Sequence, residues 1–159
     1  MARVIIADAG PLIAFAGVDR LSLLRSLFTD IHITGSVKAE CLAKAGVDAQ
    51  RIIAALDEGW LVSVPITKSL PPLSPSLGVG ESDSIRFASK APDESLLIMD
   101  DRLARRYALQ KGLNIVGTVR LLDLAEQYGL IESAESCIKE MSDSGYRISP
   151  TLLKKLRSD

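Results

Sequence analysis

Histidine is almost missing from this sequence. His32 is the only one, and cysteine occurs twice, at Cys41 and Cys137. One histidine excludes a histidine-pair ribonuclease mechanism. Two cysteines in helix-like segments, without metal-ligand or redox spacing, read as small buried residues of a reducing compartment. Long apolar runs are lacking too. Asp8 and Pro11 spoil the apolar stretch around residues 9–17 as a signal-peptide core, and nothing is long enough to cross a bilayer, so a soluble cytoplasmic protein without a membrane partner is expected. Neither sign of charge dominates: 19 Lys and Arg stand against 20 Asp and Glu. Overall charge therefore advertises no polyanion partner, and any nucleic-acid contact has to come from a local basic patch. Among short motifs, G-x-S-x-G, Walker A and H-E-x-x-H are absent. "GVGES" follows a proline-rich loop, not a strand, and is no dinucleotide fingerprint.

What is present is the composition of a globular domain, 159 residues long and 47% hydrophobic. One domain spanning 1–159 is expected, with extra C-terminal helices from about residue 132. Val4-Ile5-Ile6-Ala7 reads as a central parallel strand, followed at "AGPL" by a helix with Pro11 in its first turn. "DIHIT" alternates like a second strand. It places His32 at a surface or edge position, and Ser36 then caps a helix through Val37, Cys41 and Leu42. A helix from Asp48 to Glu58 ends at Gly59, and "WLVSVPI" is a third strand. After the proline-rich "KSLPPLSPSLGVG" come a helix at "GVGESDSIRFASK", a strand "SLLIM", a helix "RLARRYALQKG" and a strand "NIVG". Helices capped by Thr118 and then through "ESAESCIKEMSDSG" and "SPTLLKKL" complete the chain. This alternation predicts an α/β fold on a mostly parallel sheet.

Ligands in such sheets bind beyond the C-terminal strand ends. Asp8 follows the first strand, and the doublet Asp100-Asp101 follows the fourth, so all three meet if those strands are neighbours. Glu40, one turn into the helix after the second strand, and Glu81 and Asp83, opening the helix after the glycines, can join them. Singly, each has a plain structural explanation: a helix cap, a turn, an acid offsetting a helix dipole. Together they repel unless a proton or a cation compensates. Their convergence points to a hard divalent ion, Mg²⁺ or Mn²⁺, held by carboxylate oxygens and water. Arg102, Arg105 and Arg106 fall on one helical face beside that crevice, placed to hold a phosphate backbone. Lys154, Lys155 and Arg157 form a terminal basic cluster that reads as tail or partner surface.

The stretches "VIIADAGPLIAFA", "SVKAECL", "GVGESDSIRFA", "LLIMDDRLAR" and "GYRISPTLLKKL", in this order, resemble the PIN-domain superfamily of metal-dependent nucleases. The nearest likeness is to short prokaryotic members of the VapC-toxin kind. The resemblance implies a three-layer α/β/α sandwich with a five-stranded, mostly parallel sheet, an acidic pocket for Mg²⁺ or Mn²⁺, and single-stranded RNA as substrate. It implies Asp8, Glu40, Asp83 and Asp101 as the catalytic acids, with Asp100 competing for the last place and Glu81 close enough to contribute. Toxins of this kind travel with a small antitoxin that blocks the crevice, and dimers are common among them. Leu23, Leu24 and Phe28 are candidates for a dimer face or for core. The sequence departs from the family's habit where Ala9 and Gly10 follow the first acid and Met99 stands two before Asp101, positions that commonly carry hydroxyls.

The expected function is a Mg²⁺- or Mn²⁺-dependent endoribonuclease of toxin–antitoxin type. The alternative is a non-catalytic PIN-like module that binds RNA or protein. A phospho-accepting receiver domain fits poorly, because its acids follow the first and third strands, and "WLVSVPI" ends without an Asp.

Overall fold

The computed structural model describes residues 4–65, 68–149 and 151–158. Five strands form one all-parallel sheet in the order β3-β2-β1-β4-β5: β1 (Val4–Ala7), β2 (Ile31–Thr34), β3 (Leu61–Val64), β4 (Ser95–Ile98) and β5 (Asn114–Val116). The third strand was expected to reach Ile66, which lies outside the described residues. Three to four residues per strand, mostly β-branched or leucine, suit a sheet covered on both faces. Side chains alternate between those faces. Ile5, Ala7 and Ile98 enter one core, and Ile6, Leu97 and Met99 enter the other.

Helices supply the outer layers, giving a three-layer α/β/α sandwich. The larger core takes Leu12 and Phe15 of α1 (Ala9–Gly17), Leu24 of α2 (Leu21–Phe28), Val37 of α3 (Gly35–Cys41) and Ile52 of α4 (Val47–Glu58). Leu121 and Leu122 of α7 (Thr118–Gln127), Cys137 of α8 (Ala134–Asp143) and Leu153 of α9 (Leu152–Ser158) join it. The opposite face is covered by α5 (Val79–Ala88) and α6 (Arg102–Gln110), through Ile85, Ala88, Ala104 and Ala108. Among the described residues, no helix is long and apolar enough to cross a membrane.

Several local expectations are corrected. The first helical region is two helices, because Asp19 turns left-handed (φ 57°) and the Arg20 and Asp19 N–H groups close back onto Phe15 and Ala16 carbonyls at 2.8 and 3.1 Å. That double closure ends α1 as glycine usually does. His32 is not at an edge: β2 lies inside the sheet, and the ring packs 6.3 Å from that of Phe87. Leu23 and Leu24 are buried and Phe28 packs against the same core, so core packing accounts for them. Arg157 is a clasp rather than a free tail residue, donating to Asp123 at 3.0 Å and Glu126 at 2.8 Å. Cys41 and Cys137 are free and buried, as expected.

Ile98 sits in the middle of the sheet with no solvent exposure. Ile98→Ala is expected to cost about 3 kcal/mol through lost transfer energy and a residual cavity. Urea unfolding followed by the fluorescence of Trp60, the only tryptophan and itself buried, measures this loss.

Candidate active site

The sheet order reverses between β1 and β4, since β2 and β3 lie on one side of β1 and β4 and β5 on the other. A crevice opens at such a switch point, beyond the C-terminal strand ends. Asp8 stands there immediately after β1, its N–H extending the ladder onto the Ile98 carbonyl at 2.9 Å. Asp100 and Asp101 stand there after β4, and α3, leaving the next strand over, brings Glu40. Asp8, Glu40, Glu81, Asp100 and Asp101 line one open cleft of about 560 Å³, with Arg102, Tyr146 and Arg147 at its margin. Gly80 allows a close approach of two of these acids. A Cβ there would lie 3.1 Å from Glu40 Oε1 and 3.8 Å from Asp8 Oδ1, so both carboxylates face the same point of α5.

Asp8 is 7% exposed. Burial, then the charges of Glu81, Glu40 and Asp100, push its carboxyl up to about 7, against the opposing pull of the Ala9 N–H. Burial also raises Glu81, partly offset by its hydrogen bond from the Gly78 N–H at 2.9 Å. Glu40 is exposed and takes no hydrogen bond from the described residues. The pair least compensated by the protein is therefore Asp8 and Glu40.

Asp83 does not join them. Two residues beyond Glu81, it points roughly 200° around the helix. Ser36 donates to it at 2.7 Å and Arg86 at 3.1 Å, which ties off both oxygens. Ser36 is free to do so because Thr34, not Ser36, caps α3, accepting from the Val37 N–H at 3.4 Å. The expected ligand role of Asp83 is thus replaced by a structural one, and Glu81 is the α5 acid on the cleft.

The doublet divides its work. Asp101 caps α6, one oxygen accepting from the Ala104 N–H at 3.0 Å, and its other oxygen is uncommitted among the described residues. Asp100 is clamped. Its Oδ1 accepts from the Thr118 N–H at 2.7 Å, and its Oδ2 from the Thr118 hydroxyl at 2.5 Å and from the Tyr146 hydroxyl. Burial and the Asp100 charge push the Tyr146 phenol upward, which keeps it a neutral donor. Thr118 is the first residue of α7, not its cap; Gly117 is the cap.

The three arginines also separate. Arg102 is exposed at the cleft. Arg105 is spent on structure, donating to the Met99 carbonyl at 2.8 Å. Arg106 faces a neighbouring groove of about 870 Å³, walled by Leu109, Arg120 and Leu152 and sharing Arg102 with the cleft. Reasoning from sequence missed Tyr146, Arg147 and Thr118 as site residues. The "GYR" stretch stood out only within the C-terminal likeness, and nothing local says that it folds back onto the first helix.

Among the described residues, no three His, Cys, Asp or Glu side chains already stand together as a metal cage. That does not count against Mg²⁺ or Mn²⁺. Mg²⁺ keeps several waters and uses one or two carboxylates plus substrate phosphate, so it needs no all-protein cage. A buried Asp8 beside Glu40, both short of donors, with oxygens of Asp101 and Glu81 in the same cleft, is the donor chemistry such an ion takes.

Against known proteins, residues 4–159 match the family DUF3368, described as a PIN domain. Among solved structures, the chain is similar to a PilT N-terminus domain protein from the hyperthermophilic archaeon Sulfolobus solfataricus P2. The TM-score is 0.51 and the identity 21%, over 77% of this chain and 92% of that one. That likeness extends to the fold alone. No curated protein matches the chain.

The raised Asp8 carboxyl ties stability to pH in the ion-free protein. Below its ordinary value of 3.8 both folded and unfolded chains hold the proton. Between there and about 7 the unfolded chain has released it while the folded one retains it, so stability falls as pH rises. At about 1.4 kcal/mol per pKa unit, the loss has an upper bound of about 4 kcal/mol. Asp8→Asn is expected to be the more stable protein at pH 8 without metal and to flatten this slope. Urea unfolding at pH 5 and pH 8 measures both; an Asn variant weaker than wild type at pH 8 would contradict the assignment of strain to this charge.

Proposed function

From the chain's membership of the PIN-domain family, whose members are commonly nucleases using divalent metal ions, we propose that this protein is a Mg²⁺- or Mn²⁺-dependent endoribonuclease acting on single-stranded RNA. The observation that carries the reading is the cleft at the β1/β4 switch point. It collects Asp8, Glu40, Glu81, Asp100 and Asp101 in one wall and exposes Arg102 and Arg147 at the rim. Acids alone would repel a phosphodiester. Acids plus a divalent ion, flanked by arginines, attract one.

Asp8 and Glu40 would hold the ion, joined by the free oxygens of Asp101 and Glu81 and by the remaining acceptor site of Asp100 on the same cleft wall. When bound, the cation lowers the pKa of water and neutralises charge on the phosphate. Arg102 and Arg147 hold phosphates flanking the scissile one, orienting the backbone without reading its sequence. The depth of Asp8 favours a flexible single strand, whose backbone can bend into the cleft, over a stiff duplex. In the cell we place the protein in the cytoplasm, as the toxin of a toxin–antitoxin pair, with a small antitoxin as partner and a homodimer as its assembly.

Cleavage of an end-labelled single-stranded RNA is expected with Mg²⁺ or Mn²⁺ and not with EDTA. Glu40→Gln should lower the rate at least about a hundredfold while leaving the fold intact, since it removes charge from an exposed ligand. RNA bound but uncut in both ions would replace this reading with the non-catalytic binding module, which the hydroxyl-free Ala9, Gly10 and Met99 favour. In the uncleaving Asp8→Asn background, Arg102→Ala and Arg147→Ala should each weaken RNA binding across sequences and reduce the salt slope by about one. Fluorescence anisotropy at several salt concentrations tests both.

A further inference from the structure

The connection between α8 and α9 does more than join two helices. It carries Tyr146 back across the molecule to the first turn of α1, where the phenol lies against Gly10. A Cβ at Gly10 would come within 3.3 Å of the Tyr146 hydroxyl. The same hydroxyl donates to Asp100 Oδ2, the oxygen that also takes the Thr118 hydroxyl at 2.5 Å, while Thr118 N–H holds Oδ1 at 2.7 Å. A carboxylate has about four acceptor sites. Three are occupied, from two directions, and Asp100 lines the same cleft as Tyr146. Simple packing needs no hydroxyl at this place, because a phenylalanine would fill the space over Gly10 equally well. Metal-site carboxylates are oriented in this way by hydrogen bonds from outside the ligand set.

We infer that Tyr146 is a positioning residue of the acidic site: its hydroxyl, acting with Thr118, fixes Asp100 on the cleft wall, so that the segment following α8 completes the geometry in which a divalent ion is bound. This rests on the metal-dependent reading of the cleft. It adds that the C-terminal helices are part of the site and not an appendage to it. Because Tyr146 acts through Asp100, it touches neither the ion nor the substrate.

The test uses the full chain and Mn²⁺ alone, titrated calorimetrically without RNA, so that its readout is independent of cleavage. Tyr146→Phe is expected to weaken Mn²⁺ binding about tenfold, to leave ion-free thermal stability close to wild type, and to lower kcat more than it raises KM for RNA. Tyr128→Phe, at an exposed position remote from the cleft, should change none of these. Unchanged Mn²⁺ affinity in a folded Tyr146→Phe protein overturns the inference while leaving the nuclease reading standing; a wild-type protein that binds no Mn²⁺ overturns both. Should Tyr146→Phe fail to fold, ¹⁹F NMR of wild-type protein labelled with fluorotyrosine decides. The resonances are assigned by elimination with Tyr107→Phe and Tyr128→Phe. A Tyr146 signal that moves on Mg²⁺ addition while the other two stay supports the role, and a signal that stays fixed as the ion binds overturns it.

Discussion

Repulsion between carboxylates at the C-terminal edge of the sheet is the constraint that the rest of the site answers to. Parallel pairing of β1 with β4, in the register Ala7↔Ile98, sets the residues beyond each strand side by side. Asp8 cannot retreat, because its N–H is held on the Ile98 carbonyl. Asp100 cannot either, since Thr118 and Tyr146 hold it. A sheet selected for stability alone would put neutral residues at both places. The burial that lifts Asp8 to about 7 is therefore unfavourable electrostatics built into the fold, and such strain collects where an ion or a reacting group is to be bound.

The surrounding chain limits this cost by supplying donors to every acid that is not needed free. Asp83 has Ser36 and Arg86, Glu81 has the Gly78 N–H, Asp101 caps α6, and Asp100 has three donors. What is left over is narrow: Asp8, Glu40, and one free oxygen each on Asp101 and Glu81. The distribution turns a broad acidic region into a defined place where a cation gains most. On the proposed reading, it also explains how a chain of net charge −1 can handle a polyanion. Positive side chains at the rim and negative ones inside cancel in the sum while remaining separate in space, and a phosphate responds to the local arrangement.

Much of the fold was legible because its signals are local. Short apolar runs, or in β2 an alternating one, marked all five strands, and Gly59 marked the end of α4, which it closes with φ 88°. The acids at strand ends could be assigned to one crevice on the condition that their strands are neighbours, which the pairing of β1 with β4 fulfils. Legibility failed where side-chain direction decides the outcome. Asp83 and Glu81 differ by two positions on a helix, a difference that composition and motif cannot orient but a helical turn of 100° per residue does. Arg105 failed for the same reason: it shares a helical face with Arg102 and Arg106, yet its length lets it curl back to the Met99 carbonyl. Ser36 and Thr34 are both good caps, and only the backbone at Thr34, extended at φ −76° and ψ 162°, settles which one acts.

The least legible feature was also the most distant in sequence. Ala9 and Gly10 lack the hydroxyl that the family resemblance leads one to expect beside the first acid, which read in isolation as a site short of supporting hydrogen bonds. In the fold, the absence of a side chain at Gly10 is what admits the Tyr146 ring, and the hydroxyls that support the acids come from Tyr146 and Thr118. Their attachment differs as well, for they hold the acid after β4 and not the acid after β1. Loss of a polar group at Gly10 and gain of a donor at Tyr146, far along the chain, are two sides of one packing arrangement. The departure from the family pattern thus marks a different route for supporting the same wall of carboxylates, one that depends on α8 and α9 being packed in place.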